Sequence, residues 1–447
     1  MKISDDNKRF FKQLLYLAPP IVVQELLNTS INLLDNVMIG RKLGAADIAA
    51  VGISNQLFFL FIVVLFGINS GSAIFVGQYW GKNDKKSILK TMGISISSGA
   101  AIGAFFMIIA LFFSRPVLSL FSRDEQVIKL GMEYLRIIGF SYVITAVSVS
   151  RNAALRATGN TKLPMVTAFS SLVTNFIFNY ITIFILDMGV AGAAIATVIA
   201  RIVEIIAQQM LIYKLKMPIL GKFSEYFDFD FAFVKEFFKV TVFVVLNEAL
   251  WALGVSVYNI AYSYCGTDSQ AAYHMGTTIM QIFQVFGMAI GTATAIMLSN
   301  ALGAGEGEKA IRYSRKCLKL VLFISIGMSV ILIACSPLIL DFYQNVDEAV
   351  LEIAQKLIYA IAFAMIPKTV NFTAICGILR SGGDTRYCML IDILTVWFIG
   401  VPLGFLGAMY FKLPIHWVVI MTYSEEIVKI FFALHRSFGN KWARTLV

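Results

Sequence analysis

In the stretch Gln24-Glu25-Leu26-Leu27-Asn28-Thr29-Ser30-Ile31-Asn32-Leu33-Leu34-Asp35-Asn36, two carboxylates and several amides sit inside a long apolar run. At about 100° per residue, Gln24, Asn28, Asn32 and Asp35 fall on one helical face, with Glu25, Thr29 and Asn36 on its edge. Val23, Leu26, Leu27, Leu33, Leu34, Val37 and Met38 lie opposite. A carboxylate at membrane depth costs on the order of 2.5–3.5 kcal/mol, so Asp35 is expected to face a bundle interior or wet cavity and to bind a cation or proton there. Farther along, Ser171, Asn175 and Asn179 share a second face, and Thr197 lies in the next apolar run. A carboxylate, two amide oxygens and a hydroxyl would suit a hard cation such as Na⁺, with protonation of the carboxylate competing for the same place. Taken singly, such amides and hydroxyls also serve as glue between membrane helices.

These groups need long helices to hold them. Hydrophobic residues make up 58% of the chain and charged ones 14%, against roughly 25% charged in a soluble domain. The composition is that of an all-α integral membrane protein. Apolar runs long enough to span, roughly 20 residues or more, occur about twelve times, near Phe11–Gly40, Asp47–Tyr79, Ser87–Phe113, Val127–Leu155, Leu163–Leu186, Val190–Tyr213, Phe231–Tyr262, Ser269–Asn300, Cys317–Ala334, Ala349–Leu379, Tyr387–Tyr410 and Ile415–Leu434. Basic residues gather at the N-terminus (Lys2, Lys8, Arg9, Lys12), after even-numbered runs (Lys82, Lys85, Lys86; Arg156, Lys162; Lys214, Lys216, Lys222; Arg380, Arg386) and in the tail. That asymmetry places both termini of a multi-pass protein in the cytoplasm, at the cell membrane. It also accounts for 37 Lys+Arg against 27 Asp+Glu, so no nucleic-acid partner is called for. Five cysteines, all in the second half and with no CxxC pair, indicate neither a disulfide framework nor a zinc site.

The two halves repeat. Leu43-Gly44-Ala45-Ala46-Asp47 aligns with Cys265-Gly266-Thr267-Asp268-Ser269, Ser72-Ala73-Ile74 with Thr294-Ala295-Ile296, and Arg156-Ala157-Thr158-Gly159-Asn160-Thr161-Lys162 with Arg380-Ser381-Gly382-Gly383-Asp384-Thr385-Arg386. Near-constant offsets predict two halves of about six helices each, in the same orientation, a pseudo-symmetric pair of bundles. The expected division is an N-lobe over residues 1–213, a cytoplasmic connector over 214–230 and a C-lobe over 231–447.

The first run ending in Asp35, the Gly44-to-Ala50 turn, Tyr134-Leu135-Arg136, Asn152, the Arg156-to-Lys162 loop, Asn175, Asn179 and Gly192-Ala193-Ala194-Ile195-Ala196-Thr197 together resemble the multidrug and toxic compound extrusion (MATE) family. The resemblance runs through nearly the whole chain, and the repeated Arg-containing loop is its more specific mark. It implies a monomeric twelve-helix antiporter, its two six-helix bundles set around a central cavity, that expels amphipathic, cationic small molecules in exchange for H⁺ or Na⁺, with lipid as its surroundings and no other cofactor. It further implies that Asp35 is the coupling carboxylate, that Asn175, Asn179 and Thr197 line the same site, and that Asn28, Tyr134 and Asn152 border the substrate cavity. Some members carry Asp where this chain has Asn179, so a proton scheme with two carboxylates does not carry over.

In the second half Glu248 aligns with Glu25 and is a candidate for coupling or for contact with a cationic substrate, a structural partnership being the alternative. Lys368 and Asp392 are expected to pair with each other or with Glu248, because buried charges need partners. Arg201 and Glu204 read as a local ion pair, and Glu425, Glu426 and Lys429 as a mutually satisfied group. HExxH, GxSxG and Walker motifs do not occur, which speaks against an enzyme. The nearest rival is a flippase for lipid-linked saccharides on a related scaffold, which would call for several basic groups in its cavity.

Overall fold

The computed structural model describes residues 5–341 and 347–447. Lys2 and the side chain of Asn32 lie outside the described residues. The first half of the chain forms α1 (Asp5–Lys42), α2 (Ala45–Gly81), α3 (Lys85–Phe112), α4 (Ser114–Ser119), α5 (Glu125–Ile138), α6 (Phe140–Ala157), α7 (Lys162–Asn179) and α8 (Gly189–Lys214). The connector carries α9 (Phe223–Tyr226). The second half forms α10 (Phe231–Ser263), α11 (Thr267–Gly303), α12 (Gly307–Leu340), α13 (Glu348–Phe372), α14 (Thr385–Thr395), α15 (Val401–Phe405) and α16 (Ile415–Phe438).

Among the described residues ten helices are long and apolar enough to cross a membrane, and the bent pair α5 and α6, taken as one span, makes an eleventh. The twelfth, α16, has 24 residues but carries Glu425, Glu426 and Lys429, which lower its apolarity. Phe112, Phe323, Phe398 and Phe431 are each more than two-thirds exposed, an outward apolar surface that only lipid can cover. The run Val127–Leu155, read from sequence as one span, is two helices meeting at 49°. They break at Gly139, whose backbone N–H still bonds to the Leu135 carbonyl at 2.9 Å.

Two compact units are present: Pro19–Val245, and Met1–Ala18 with Leu246–Val447. In the first, Phe61 and Tyr142 stack at 5.1 Å within a core that includes Met38, Leu65, Leu135 and Ala193. The start of α10 packs here against α2: Phe75 meets Phe237, Tyr79 stacks on Phe233, and Gly67 abuts the Val245 backbone. The connector is held to α3 by Asp228, between Lys86 at 3.0 Å and Lys90 at 3.6 Å. The hydrogen bond from Lys86 keeps the Asp228 carboxyl below its ordinary range. In the second unit, Tyr262, Leu357, Ile361, Val396 and Val418 form the core. The start of α1 packs there through Phe10 on Tyr313 and Asp6 on Lys316.

The duplicated loops adopt one conformation. Gly159 and Gly383, equivalent in the repeat, have φ of 83° and 77°, a region where a side chain is strained.

A Cβ at Gly67 would come within 2.7 Å of the Val245 Cα, whereas one at Gly52 meets nothing within 4 Å. Gly67→Ala is therefore expected to destabilise by about 1–3 kcal/mol through overpacking, and Gly52→Ala to leave stability unchanged or raised. Thermal unfolding of the detergent-solubilised protein measures both; equal midpoints for the two variants would contradict the close α2–α10 contact.

Candidate ion site

Three helices of the first unit bring the polar groups together. On α7, Asn175 and Asn179 lie one turn apart and are fully buried. Gly192, Ala193, Ala194, Ala196 and Ala200 give α8 a small-residue surface, which lets helices approach closely and brings Thr197 to the same level. Asp35, 9% exposed, comes from α1.

Asp35 accepts a hydrogen bond from Asn179 Nδ2 through Oδ1 at 2.5 Å and one from Thr197 Oγ1 through Oδ2 at 3.5 Å. The Asn179 amide nitrogen also reaches Asn175 Oδ1 at 3.1 Å, and Asn175 Nδ2 reaches Thr197 Oγ1 at 3.3 Å. The four residues form a closed ring of contacts around one carboxylate. Asn179 Oδ1 is buried without a hydrogen-bond partner. A buried acceptor left open is costly, and beside a carboxylate it is a ready oxygen for a hard cation or for the proton of the acid. Among the described residues no group of three or more His, Cys, Asp or Glu is placed to hold a metal, so any ion here would be held by one charge and neutral oxygens.

The other expected residues are not members of the ring. Asn28 is half-buried on α1 and makes no hydrogen bond to this ring. Tyr134 is 5% exposed in the apolar core with Met38, Ile39 and Ala193. Asn152 accepts from Gln208 Nε2 at 2.8 Å. That bond belongs to a second polar layer, in which Arg201 pairs with Glu204 at 2.7 Å and Glu204 accepts from Ser148 at 2.8 Å. Thr197, Arg201, Glu204 and Gln208 are spaced i, i+4, i+7 and i+11 on α8, so the stripe was readable from their order; Ser148, on α6, carried no such signal.

Glu248 is in the second unit, bound to Arg380 at 2.8 Å. Its repeat counterpart Glu25 binds Arg156 at 3.2 Å in the first unit. The same Glu–Arg pair thus ties the first helix of each half to the duplicated loop. The expected pairing of Lys368 with Asp392 or Glu248 does not occur. Asp392 is taken by Lys429 at 2.9 Å and by the Asn247 amide at 2.9 Å, and the Lys368 ammonium lies 5.5 Å from the centre of the Tyr423 ring.

The long apolar helices and the buried polar ring are those of a multi-pass helical membrane protein. The sequence model of the MatE family matches the chain twice, over residues 20–181 and 241–406. The chain belongs to the MatE family, and the double match coincides with the internal repeat. It is 26% identical over 405 residues to the probable multidrug resistance protein YoeA of Bacillus subtilis, covering 89% of this chain and 86% of that one. It is 23% identical over 447 residues to a probable multidrug resistance protein NorM of Thermotoga maritima, covering 98% and 94%. Among solved structures, MATE in the straight conformation superposes with a TM-score of 0.87 at 17% identity, over 96% of each chain. A MOP superfamily transporter from Pyrococcus furiosus gives 0.87 at 17%, again over 96% of each.

The two Glu–Arg pairs differ in burial. Arg380 and Glu248 are 2% and 14% exposed, Arg156 and Glu25 20% and 35%. Arg380→Met, which strands a buried carboxylate, is expected to cost about 3–5 kcal/mol, and Arg156→Met about 0–1 kcal/mol. Unfolding midpoints of both variants, and of Arg380→Met with Glu248→Gln, check this. The double variant should recover much of the loss, and its failure to do so would separate Arg380 from Glu248.

Proposed function

We propose that this protein is a secondary antiporter that exports amphipathic, cationic drugs or metabolites in exchange for H⁺ or Na⁺, with Asp35 as the ion-binding carboxylate. The observation that carries the reading is the buried ring of Asp35, Asn175, Asn179 and Thr197 with the open Asn179 Oδ1. Relatives named as multidrug resistance proteins support drugs as the cargo. The protein works as a monomer in the cell membrane with both termini in the cytoplasm.

Ionised, Asp35 holds the Asn179 amide and the Thr197 hydroxyl through their donors. A proton or Na⁺ on the carboxylate cancels the charge those donors were attracted to, and the open Asn179 oxygen turns toward the newcomer. A π-helical turn, Tyr180–Ile185, begins immediately after Asn179. Such turns are strained insertions that often mark functional sites. This one is joined to α8 by the Thr182 hydroxyl, which donates to the Gly192 carbonyl at 2.9 Å. A change at Asn179 is therefore passed to the α7–α8 junction, where helix register can shift. Occupation of Asp35 and a reshaped substrate surface are coupled through that turn, and alternating access follows when ion and substrate favour different shapes.

A flippase of lipid-linked saccharides needs cations free to meet pyrophosphate. Arg201, Arg380 and Lys429 are each engaged by carboxylates, and Lys368, set over the Tyr423 ring, is one cation where several are called for, which favours the antiporter.

The test uses the protein reconstituted in liposomes with a cationic dye and, separately, a Na⁺ gradient or a pH gradient. One gradient is expected to drive dye movement, naming the ion, and Asp35→Asn to move dye no faster than protein-free liposomes. Dye driven by neither gradient, or equally well by the variant, would sink the reading.

A further inference from the structure

The second unit buries more carboxylate than cation. Arg380 is committed to Glu248. The Lys429 ammonium faces Asp392 at 2.9 Å, Glu425 at 2.9 Å and Glu426 at 3.6 Å. Lys429, Glu425 and Glu426 are no more than 6% exposed and Asp392 13%. One positive charge for three negative ones, away from water, is a strongly unfavourable balance. The other groups around the cluster do not correct it. Tyr258 from α10, Tyr423 from α16 itself, Tyr273 from α11 and Cys376 after α13 offer only phenols and a thiol, which add no positive charge. Lys368 on α13 sits over the Tyr423 ring, and counting it still leaves the carboxylates in excess.

A second observation, independent of charge, concerns donors. The Asn371 amide nitrogen donates to Glu426 Oε2 at 2.8 Å and to the Glu426 backbone carbonyl at 2.7 Å, and that of Asn247 to Asp392 Oδ2 at 2.9 Å. Both residues are 2% exposed, and the Oδ1 of each has no hydrogen-bond partner. Where a primary amide donates to a carboxyl group through the hydrogen on the same side as its own oxygen, that oxygen faces the group's other oxygen. If the second oxygen carries a proton, it donates to the amide oxygen and closes a ring of two hydrogen bonds. The missing positive charge and the missing donor are thus supplied by one ligand.

We infer that the Asp392–Glu425–Glu426 cluster around Lys429 is a proton-binding site, with the proton housed on Glu426 and donated to Asn371 Oδ1. Glu426 is the carboxylate farthest from the ammonium and so loses least by becoming neutral. Protonation adds H⁺ to Glu426 Oε1, forms the O–H bond and leaves the Asn371 donor bond to Oε2 in place. Removal returns the proton to water and leaves a cluster that is short of both charge and donors. Each half of the duplicated chain then has a carboxyl group able to exchange a proton, on helices that are not equivalent in the repeat. The site does not depend on ion coupling at Asp35 and can fail or stand separately from it.

Infrared spectroscopy of the reconstituted protein tests this through the carboxylic C=O stretch, assigned by its shift in D₂O. In the Asp35→Asn background, which removes the first-unit acid, a protonated-carboxyl band is expected at neutral pH. It should disappear with Glu426→Gln and persist with Glu425→Gln. Asn371→Leu, which alters no charge, should move the band to higher wavenumber because the acid loses its amide partner. A band that is absent in Asp35→Asn, undiminished by Glu426→Gln or unmoved by Asn371→Leu would overturn the assignment.

Discussion

A charge or amide placed among helices that face hydrocarbon must find its partner inside the protein, since no water stands ready to replace one. The polar architecture follows from that constraint. Asp35 is surrounded by amides and a hydroxyl, Glu204 by Arg201 and Ser148, Glu248 by Arg380, and Asp392 by Lys429 and Asn247. Each set ties several helices of one unit together, and small residues on α8 let the backbones come close enough for short side chains to reach. Where a set is complete it fixes structure. Where an acceptor is left open, as at Asn179 and Asn371, a mobile ligand has somewhere to go.

The two open sets differ in kind. At Asp35 a single charge is encircled by neutral groups, so a cation or a proton satisfies the same oxygens and selection between them falls to size and hydration. At Lys429 a fixed ammonium already occupies the centre, which repels a metal cation and leaves room only for a proton on the rim. The chain's own lysine makes the second cluster selective in a way the first is not.

The polar face ending in Asp35, the amides one turn apart on α7 and the repeat were legible because each is periodic, and helix periodicity survives without knowledge of neighbours. The partners were less so. That Lys429 rather than Lys368 would meet Asp392 depends on which helices pack together, and spacing along one helix does not encode it. The bend at Gly139 was hidden for a related reason: apolar residues continue through it unbroken, and only packing shows that two axes are involved. The twelfth helix was recognised by its apolar ends in spite of three charges, which become intelligible only when Glu425 and Glu426 are seen to share Lys429 with Asp392 of α14.

The Glu25–Arg156 and Glu248–Arg380 pairs carry a record of descent. Two copies of one ancestral segment retain the same salt link between the first helix and the loop that ends the fourth crossing, together with its left-handed glycine. At the offset of that link Asp35 falls on Tyr258, so the Asp35 carboxylate has no counterpart in the other copy. The link therefore belongs to what was duplicated, and the Asp35 ring to what one copy acquired, or the other lost, after the halves had become free to differ.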